Sequence, residues 1–263
     1  MKRFLSIALL VPVLLSACGG LAALEPTATP PSLPTDTPKP TLTPTPTETP
    51  TPVPTSTPDV AATQAVEATQ AAADVLAELD KNLGSDSDIP YQDGHLVWQQ
   101  SNPLSIKLNG PSQDFLEVDK EISAGDFILK SDVKWEATGL LVCGAIFRSE
   151  PDLKKGKQYM FLFLRFSGLP AWAIEVHEFG QFRNSPTDTR FSDAVDLDNG
   201  ATNQFFLVVQ DDNFTLYMNG QRQGRYYDYS KQRSDGVFGF IGSQASGKGT
   251  CEFKNSWIWS LDQ

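Results

Sequence analysis

FFLVVQDDNFTLYMNGQRQGRY, Phe205 to Tyr226, joins runs of β-branched and aromatic residues through short clusters of Asp, Asn and Gly. Runs of four to eight such residues bounded by turn formers read as strands. Asn219-Gly220 is the strongest hairpin signal in the chain, because a type I′ turn holds both central residues at positive φ. Asp212-Asn213 marks a second tight turn just upstream. The stretch therefore predicts consecutive antiparallel strands.

The same pattern extends in both directions. HLVWQQ, DFLEVDKEI, DFILKSDVKWEA, LLVCGAIFRS, QYMFLFLRFS and AWAIEVHEF precede it; GVFGFIGS and TCEFKNSWIWSL follow. No run of ten or more residues with a 3.6-residue period interrupts the series after His95, so the expectation is an all-β, two-sheet sandwich. QYMFLFLRF and LLVCGAIF are apolar on both faces, as central strands covered on both sides would be. The folding unit is placed at residues 91–263, long enough to bury a sizeable core.

The composition is uneven. Of 19 prolines, 12 lie between Leu21 and Pro58, mostly alternating with threonine. Proline fixes φ and removes a backbone donor, so residues 18–58 are expected to be an extended, disordered stalk. The formal charge is −11 overall; residues 91–263 hold 17 Lys+Arg against 22 Asp+Glu, a net of −5. No basic run or stripe appears, which argues against a nucleic-acid partner, since phosphate binding needs clustered cations.

MKRFLSIALLVPVLLSAC begins with Lys2 and Arg3, continues with an apolar run from Phe4 to Leu15, and ends in small residues before Cys18. The run is too short for a mature membrane span and reads as a signal peptide over 1–17. Leu15-Ser16-Ala17-Cys18 resembles the bacterial lipoprotein lipobox. That resemblance implies cleavage before Cys18, a lipid on its sulfur, and an extracytoplasmic, membrane-anchored protein at the cell surface. Residues 59–84, DVAATQAVEATQAAADVLAELDKNLG, are rich in helix formers, with Asp59 as N-cap. Leu76, Leu79 and Leu83 form only a short apolar stripe, so a solvated spacer helix is favoured over a coiled coil.

The succession FILKSDVKWEATGLLVCGAIFR, YMFLFLRFSG, FFLVVQDDNFTLYMNGQRQGRY and DGVFGFIGSQASGKGTCEFKNSWIWSL resembles the concanavalin A-like lectin/glucanase jelly roll. It is most similar to the laminin-G-type branch and the related 3-keto-disaccharide hydrolase domain. The resemblance implies two stacked antiparallel sheets, one concave, with glycans bound or cleaved on the concave face or its rim. Retaining glucanases of this fold carry a Glu, an acid two residues later and a second Glu three further on. Here those positions hold Glu175, His177 and Gly180, so no catalytic residue is assigned. Along a strand Glu175, His177 and Phe179 share one face, and Trp172, Ile174, Val176 and Glu178 the other, so Glu175 and Glu178 point apart unless a bulge intervenes.

Strand parity could put Arg148, Tyr159 and Arg165 on the face of Glu175 and His177, giving a ligand-binding cluster of cations, a carboxylate and an aromatic suited to sugar hydroxyls. The alternative is a plain cross-strand ion pair of Glu175 with Arg165 or Arg148. Cys143 and Cys251, an even number in an exported domain, are either a disulfide or two separately buried thiols, with the bridge favoured. No metal centre or cofactor is expected. Asp193 to Gly200 reads as a solvated turn rather than a calcium loop, and Trp257 and Trp259 as fillers of a core or sheet face. The function that follows is a surface lipoprotein displaying a glycan- or ligand-binding jelly roll; a 3-keto-disaccharide-type hydrolase and a non-catalytic adhesive protein are the alternatives.

Overall fold

A computed structural model describes residues 60–84, 88–166 and 168–262. The signal peptide, Cys18 and the Pro/Thr-rich stretch lie outside them.

Among the described residues, fifteen strands form two antiparallel sheets. The first runs in the order β1 (His95–Gln99), β15 (Lys248–Ser260), β5 (Phe127–Ala137), β11 (Thr202–Gln210), β12 (Asn213–Met218) and β13 (Gln221–Tyr227); β2 (Leu104–Asn109) pairs with the front half of β15. The second runs β10 (Arg190–Phe191), β8 (Leu169–Glu178), β7 (Gln158–Phe166), β6 (Leu141–Ser149), β14 (Gly236–Gln244) and β3 (Ser112–Glu117), with β4 (Ser123–Ala124) on β14 and β9 (Gln181–Asn184) on β8. The protein is a two-sheet jelly-roll sandwich.

Alternation explains the core. Along β5, Leu129, Val133 and Trp135 face the opposite sheet; along β15 Cys251, Phe253 and Ile258 do so, and along β8 Trp172, Ile174 and Val176. Phe127 stands edge-on to Phe238, and Phe240 stacks on Phe253 at 4.3 Å, so rings from both sheets interlock. Cys143 of β6 and Cys251 of β15 are joined by a disulfide across this core, their Cα atoms 5.8 Å apart, so the bridge ties one sheet to the other.

The expected hairpin at Asn219-Gly220 is present, with φ of 48° and 76°. The turn upstream falls one residue earlier than expected: Gln210 pairs with Asn213, leaving Asp211 and Asp212 at its tip, with Asp211 at φ 51°. Its backbone N–H donates to Asp126 Oδ1 at 2.8 Å, and that bond fixes the turn.

The second sheet is covered on its outer face, as the doubly apolar β6 and β7 required. Leu153, in the β6–β7 connection, packs on Ile146, Met160, Val237 and Ile241. A Cβ on Gly239 would meet the Leu116 carbonyl oxygen at 2.8 Å as well as the Leu153 side chain at 2.6 Å, so glycine leaves the room this cover needs.

The first sheet is covered too, and here the expectation is corrected. Helix α1 (Val60–Leu83) is not a solvated spacer. Val75, Leu79 and Leu83 are buried against Ile128, Phe206, Val208, Tyr217, Trp257 and Trp259 on the outer face of the first sheet. Val75 extends the leucine stripe to a buried face, and each such side chain contributes roughly 1.5–3 kcal/mol relative to exposure. Polar contacts fix the seat: Trp257 Nε1 donates to Glu78 Oε2 at 2.9 Å, and Tyr91 Oη to Asp80 Oδ1 at 2.9 Å. Only the second half of the helix is engaged, since residues 64–70 are exposed. The compact unit thus begins before residue 91 and includes the helix.

Candidate functional site

The sequence-derived cluster separates into two places. Glu175 and His177 do share the outer face of the second sheet, where His177 Nε2 and Glu175 Oε2 lie 2.7 Å apart in a hydrogen bond. Phe182 of β9 stands edge-on to His177 at 6.0 Å and is itself exposed. Glu178, one step out of phase, pairs with Arg183 at 3.1 Å. The irregularity between β8 and β9 leaves the alternation of β8 intact, because the extra residue is Arg183 on β9.

Tyr159 is not on that face. The β7–β8 register sets Met160 opposite Glu175 and Tyr159 opposite Val176, so Tyr159 points into the core and is fully buried. Its hydroxyl donates to Asp228 Oδ2 and accepts from the backbone N–H of Gln232 at 2.8 Å. Burial, then the Asp228 contact, pushes its pKa up to about 12.

Arg148 is displaced by a bulge that the sequence does not announce. Ser149 pairs with Val237 while Ile146 pairs with Gly239, so β6 carries one residue more than β14 over that span. Arg148 adopts φ 46° there. Its guanidinium is 2% exposed; it donates to the carbonyls of Gly125 at 2.9 Å and Asp211 at 2.7 Å, and reaches Asp126 at 3.3 Å. Burial lowers its pKa, and burial likewise raises that of Asp126. Arg148 and Tyr159 therefore hold the connections at one end of the sandwich rather than presenting themselves to a ligand. The side chain of Arg165 lies outside the described residues; its backbone pairs with Pro170, far along the hairpin from Glu175.

A roomy surface lies on the other sheet, away from the expected sites. Beyond α1, the outer face of β2, β15 and β5 is an open groove made of two cavities of about 450 Å³ and about 400 Å³ that share Lys107, Glu136 and Thr250. Register builds its floor in rows. Thr250 lies between Lys107 and Glu136, and Glu252 between Ser105 and Lys134. Lys134 pairs with Glu136 at 3.3 Å, and Lys254 with Glu252 at 3.0 Å. The β5–β6 turn forms one wall, where Thr138 Oγ1 accepts from the Lys248 N–H at 2.9 Å and Asn199 Oδ1 accepts from Ala137 N–H at 3.0 Å. The groove thus offers ammonium donors, carboxylate acceptors and a hydroxyl on a preformed surface.

A second bulge sets the limit of this groove. Along β15, Lys248, Thr250, Glu252 and Lys254 face outward, then the register shifts between Lys254 and Trp257, with Asn255 at φ 48°. After it Trp257 and Trp259 take the outward side beneath α1, where the expectation that they fill a sheet face holds. Buried Lys130 spans the frontier, reaching Glu78 of the helix at 3.4 Å and Asp132 at 3.1 Å.

The groove had a signature in the sequence. In LKSDVKWE (129–136), polar Lys130, Asp132, Lys134 and Glu136 alternate with inward residues, and Thr250, Glu252 and Lys254 do the same. What hides it is β2, LSIKLN, a strand of only 6 residues close behind β1.

Among the described residues no group of three or more His, Cys, Asp or Glu side chains converges as a metal site. The Asp193–Gly200 segment is tied in by Asn203, whose Oδ1 accepts from Asp196 N–H at 2.8 Å, and by Asn219, which donates to the Ala194 carbonyl. No known family's sequence pattern matches the chain, and no curated protein resembles it in sequence. Solved structures similar in shape include the carbohydrate-binding module CBM66 from Bacillus subtilis, at 17% identity and TM-score 0.43, over 60% of this chain and 92% of that one. The Bacillus licheniformis β-glucanase matches at 11% identity and TM-score 0.42, over 61% and 79%, and sheep galectin-11 at 9% identity and TM-score 0.37, over 57% and 98%.

Proposed function

We propose that the chain is a lipid-anchored surface protein whose sandwich binds carbohydrate without cleaving it, through the polar groove of β2, β15 and β5. The observation that carries the binding role is that groove: adjoining cavities on an exposed sheet face, with Lys107, Thr250 and Glu136 in one row. Sugar hydroxyls donate and accept, so a floor mixing ammonium, hydroxyl and carboxylate groups matches them. A hydrolase would need two carboxyl groups free to act on one bond. Glu136 and Glu252 each lie in an ion pair with a lysine, and Glu136 is 60% exposed, without the apolar enclosure a general acid needs.

A glycan array probed with the detergent-solubilised full chain tests the reading. Thr250→Trp, which places an indole in the groove, should abolish whatever binding is found; binding untouched by it would sink the groove. A second contact surface at Glu175, His177 and Phe182 is favoured by the exposed ring beside the hydrogen-bonded pair. His177→Ala reports on that surface, and turnover of 3-keto-glycosides by the full chain would overturn the non-catalytic reading.

The anchor rests on the cations, apolar run and lipobox-like residues ending at Cys18. Two or three acyl chains hold a protein stably at a membrane where one does so only marginally. Cys18→Ala is expected to move the protein out of the membrane fraction; an unchanged distribution on cell fractionation would reject the anchor.

A further inference from the structure

We infer that the groove selects acidic glycans, polymers whose sugars carry carboxylate or sulfate groups. This rests on the groove being the carbohydrate site.

The charges that line it are unequally employed. Lys134 is neutralised by Glu136, and neighbouring Lys254 by Glu252. Lys107 and Lys248 are exposed and pair with no carboxylate among the described residues. They stand on adjacent strands: Lys107 faces Thr250 across β2 and β15, and Lys248 precedes Thr250 by two residues. Diagonal neighbours of this kind have Cβ atoms roughly 7–8 Å apart or less, within reach of long side chains, so both ammonium groups can approach one anion. The wall beside them is rigid, because Lys248 has its backbone N–H and carbonyl both engaged by Thr138. With the helix included, residues 60–263 hold 18 Lys+Arg against 28 Asp+Glu, a net charge of −10. Their far field therefore repels a polyanion, and the attraction must come from close contacts with these two lysines. That predicts binding governed by local pairing rather than by the overall charge.

The test is calorimetry on the detergent-solubilised full chain with four probes: polygalacturonate, its fully methyl-esterified form, heparin and neutral xylan. Polygalacturonate or heparin is expected to bind, with the esterified and neutral polymers at least about tenfold weaker. Each of Lys107→Ala and Lys248→Ala should weaken acidic binding on the order of tenfold, as loss of a hydrogen bond to a charged group does, and Lys107→Arg should retain it. Raising NaCl from 50 to 500 mM should weaken it further. Binding of the esterified or neutral polymer as tight as that of the acidic one, unchanged in both alanine variants yet lost in Thr250→Trp, overturns the charge preference and leaves the groove standing. Binding of any probe that survives Thr250→Trp overturns both. Because Lys107 and Lys248 are exposed, unchanged thermal unfolding of the variants confirms that a lost affinity is a lost contact.

Discussion

The outer face of the first sheet is built twice from the same strands. At one end β5 and β15 present Ile128, Trp257 and Trp259 and lie under α1; at the other they present Lys134, Glu136, Thr250 and Glu252 and lie open. β5 and β15 pair in both halves, on either side of the bulge at Asn255. What differs is what each half would lose on being covered. A helix laid on the apolar end removes hydrocarbon and indole from water, while one laid on the polar end would strip water from several charges with too few bonds in return. The side chains therefore decide where the helix stops, and the bulge at Asn255 is where the pattern on β15 changes phase. The polar half, left to water, is the floor of the open groove.

The largest test falls on the covered half. Leu79→Ala should cost about 2–5 kcal/mol in urea unfolding, as truncating a fully buried leucine does. A loss under about 0.5 kcal/mol would mean that the helix is an ornament and the two halves are alike. A polar group enclosed with its partners supplies the intermediate case, at Tyr159. Its folded pKa is about 12 against 10.0 unfolded, so between those values the native state keeps a proton that the unfolded chain loses. The stability it contributes is complete below pH 10 and is lost as pH rises towards 12, up to roughly 2–3 kcal/mol. Tyr159→Phe should flatten that segment of the stability–pH curve; the same slope in the variant would point to other groups. The smallest effect belongs to the open half. Lys134→Ala or Glu136→Ala should move stability within about 0.5 kcal/mol, because exposed ion pairs contribute little. A loss of several kcal/mol there would erase the contrast.

The sandwich was legible because alternation is a local property. AWAIEVHEF shows by itself that Trp172, Ile174 and Val176 go inward and that Glu175 and Glu178 part company. Register between strands is not local, and Tyr159 shows the consequence: its parity was readable, but whether it or Met160 faces Glu175 depends on the pairing with β8. Bulges are harder still. The left-handed turn at Arg148 comes from no glycine or proline, so nothing in CGAIFR warns that Phe147 and Arg148 both point inward. The helix was misjudged for another reason: an amphipathic stripe shows that a face wants cover, and only the apolar outward residues of a distant strand, Trp257 and Trp259, show what covers it.

The seat of α1 also decides how the domain bears load. Any pull on the chain ahead of Val60 arrives first at Val75, Leu79 and Leu83, while the Cys143–Cys251 bridge clasps the two sheets behind them. Under tension the helix would peel from its bed turn by turn while the sandwich stayed shut, so that the chain lengthens before the two sheets are loaded.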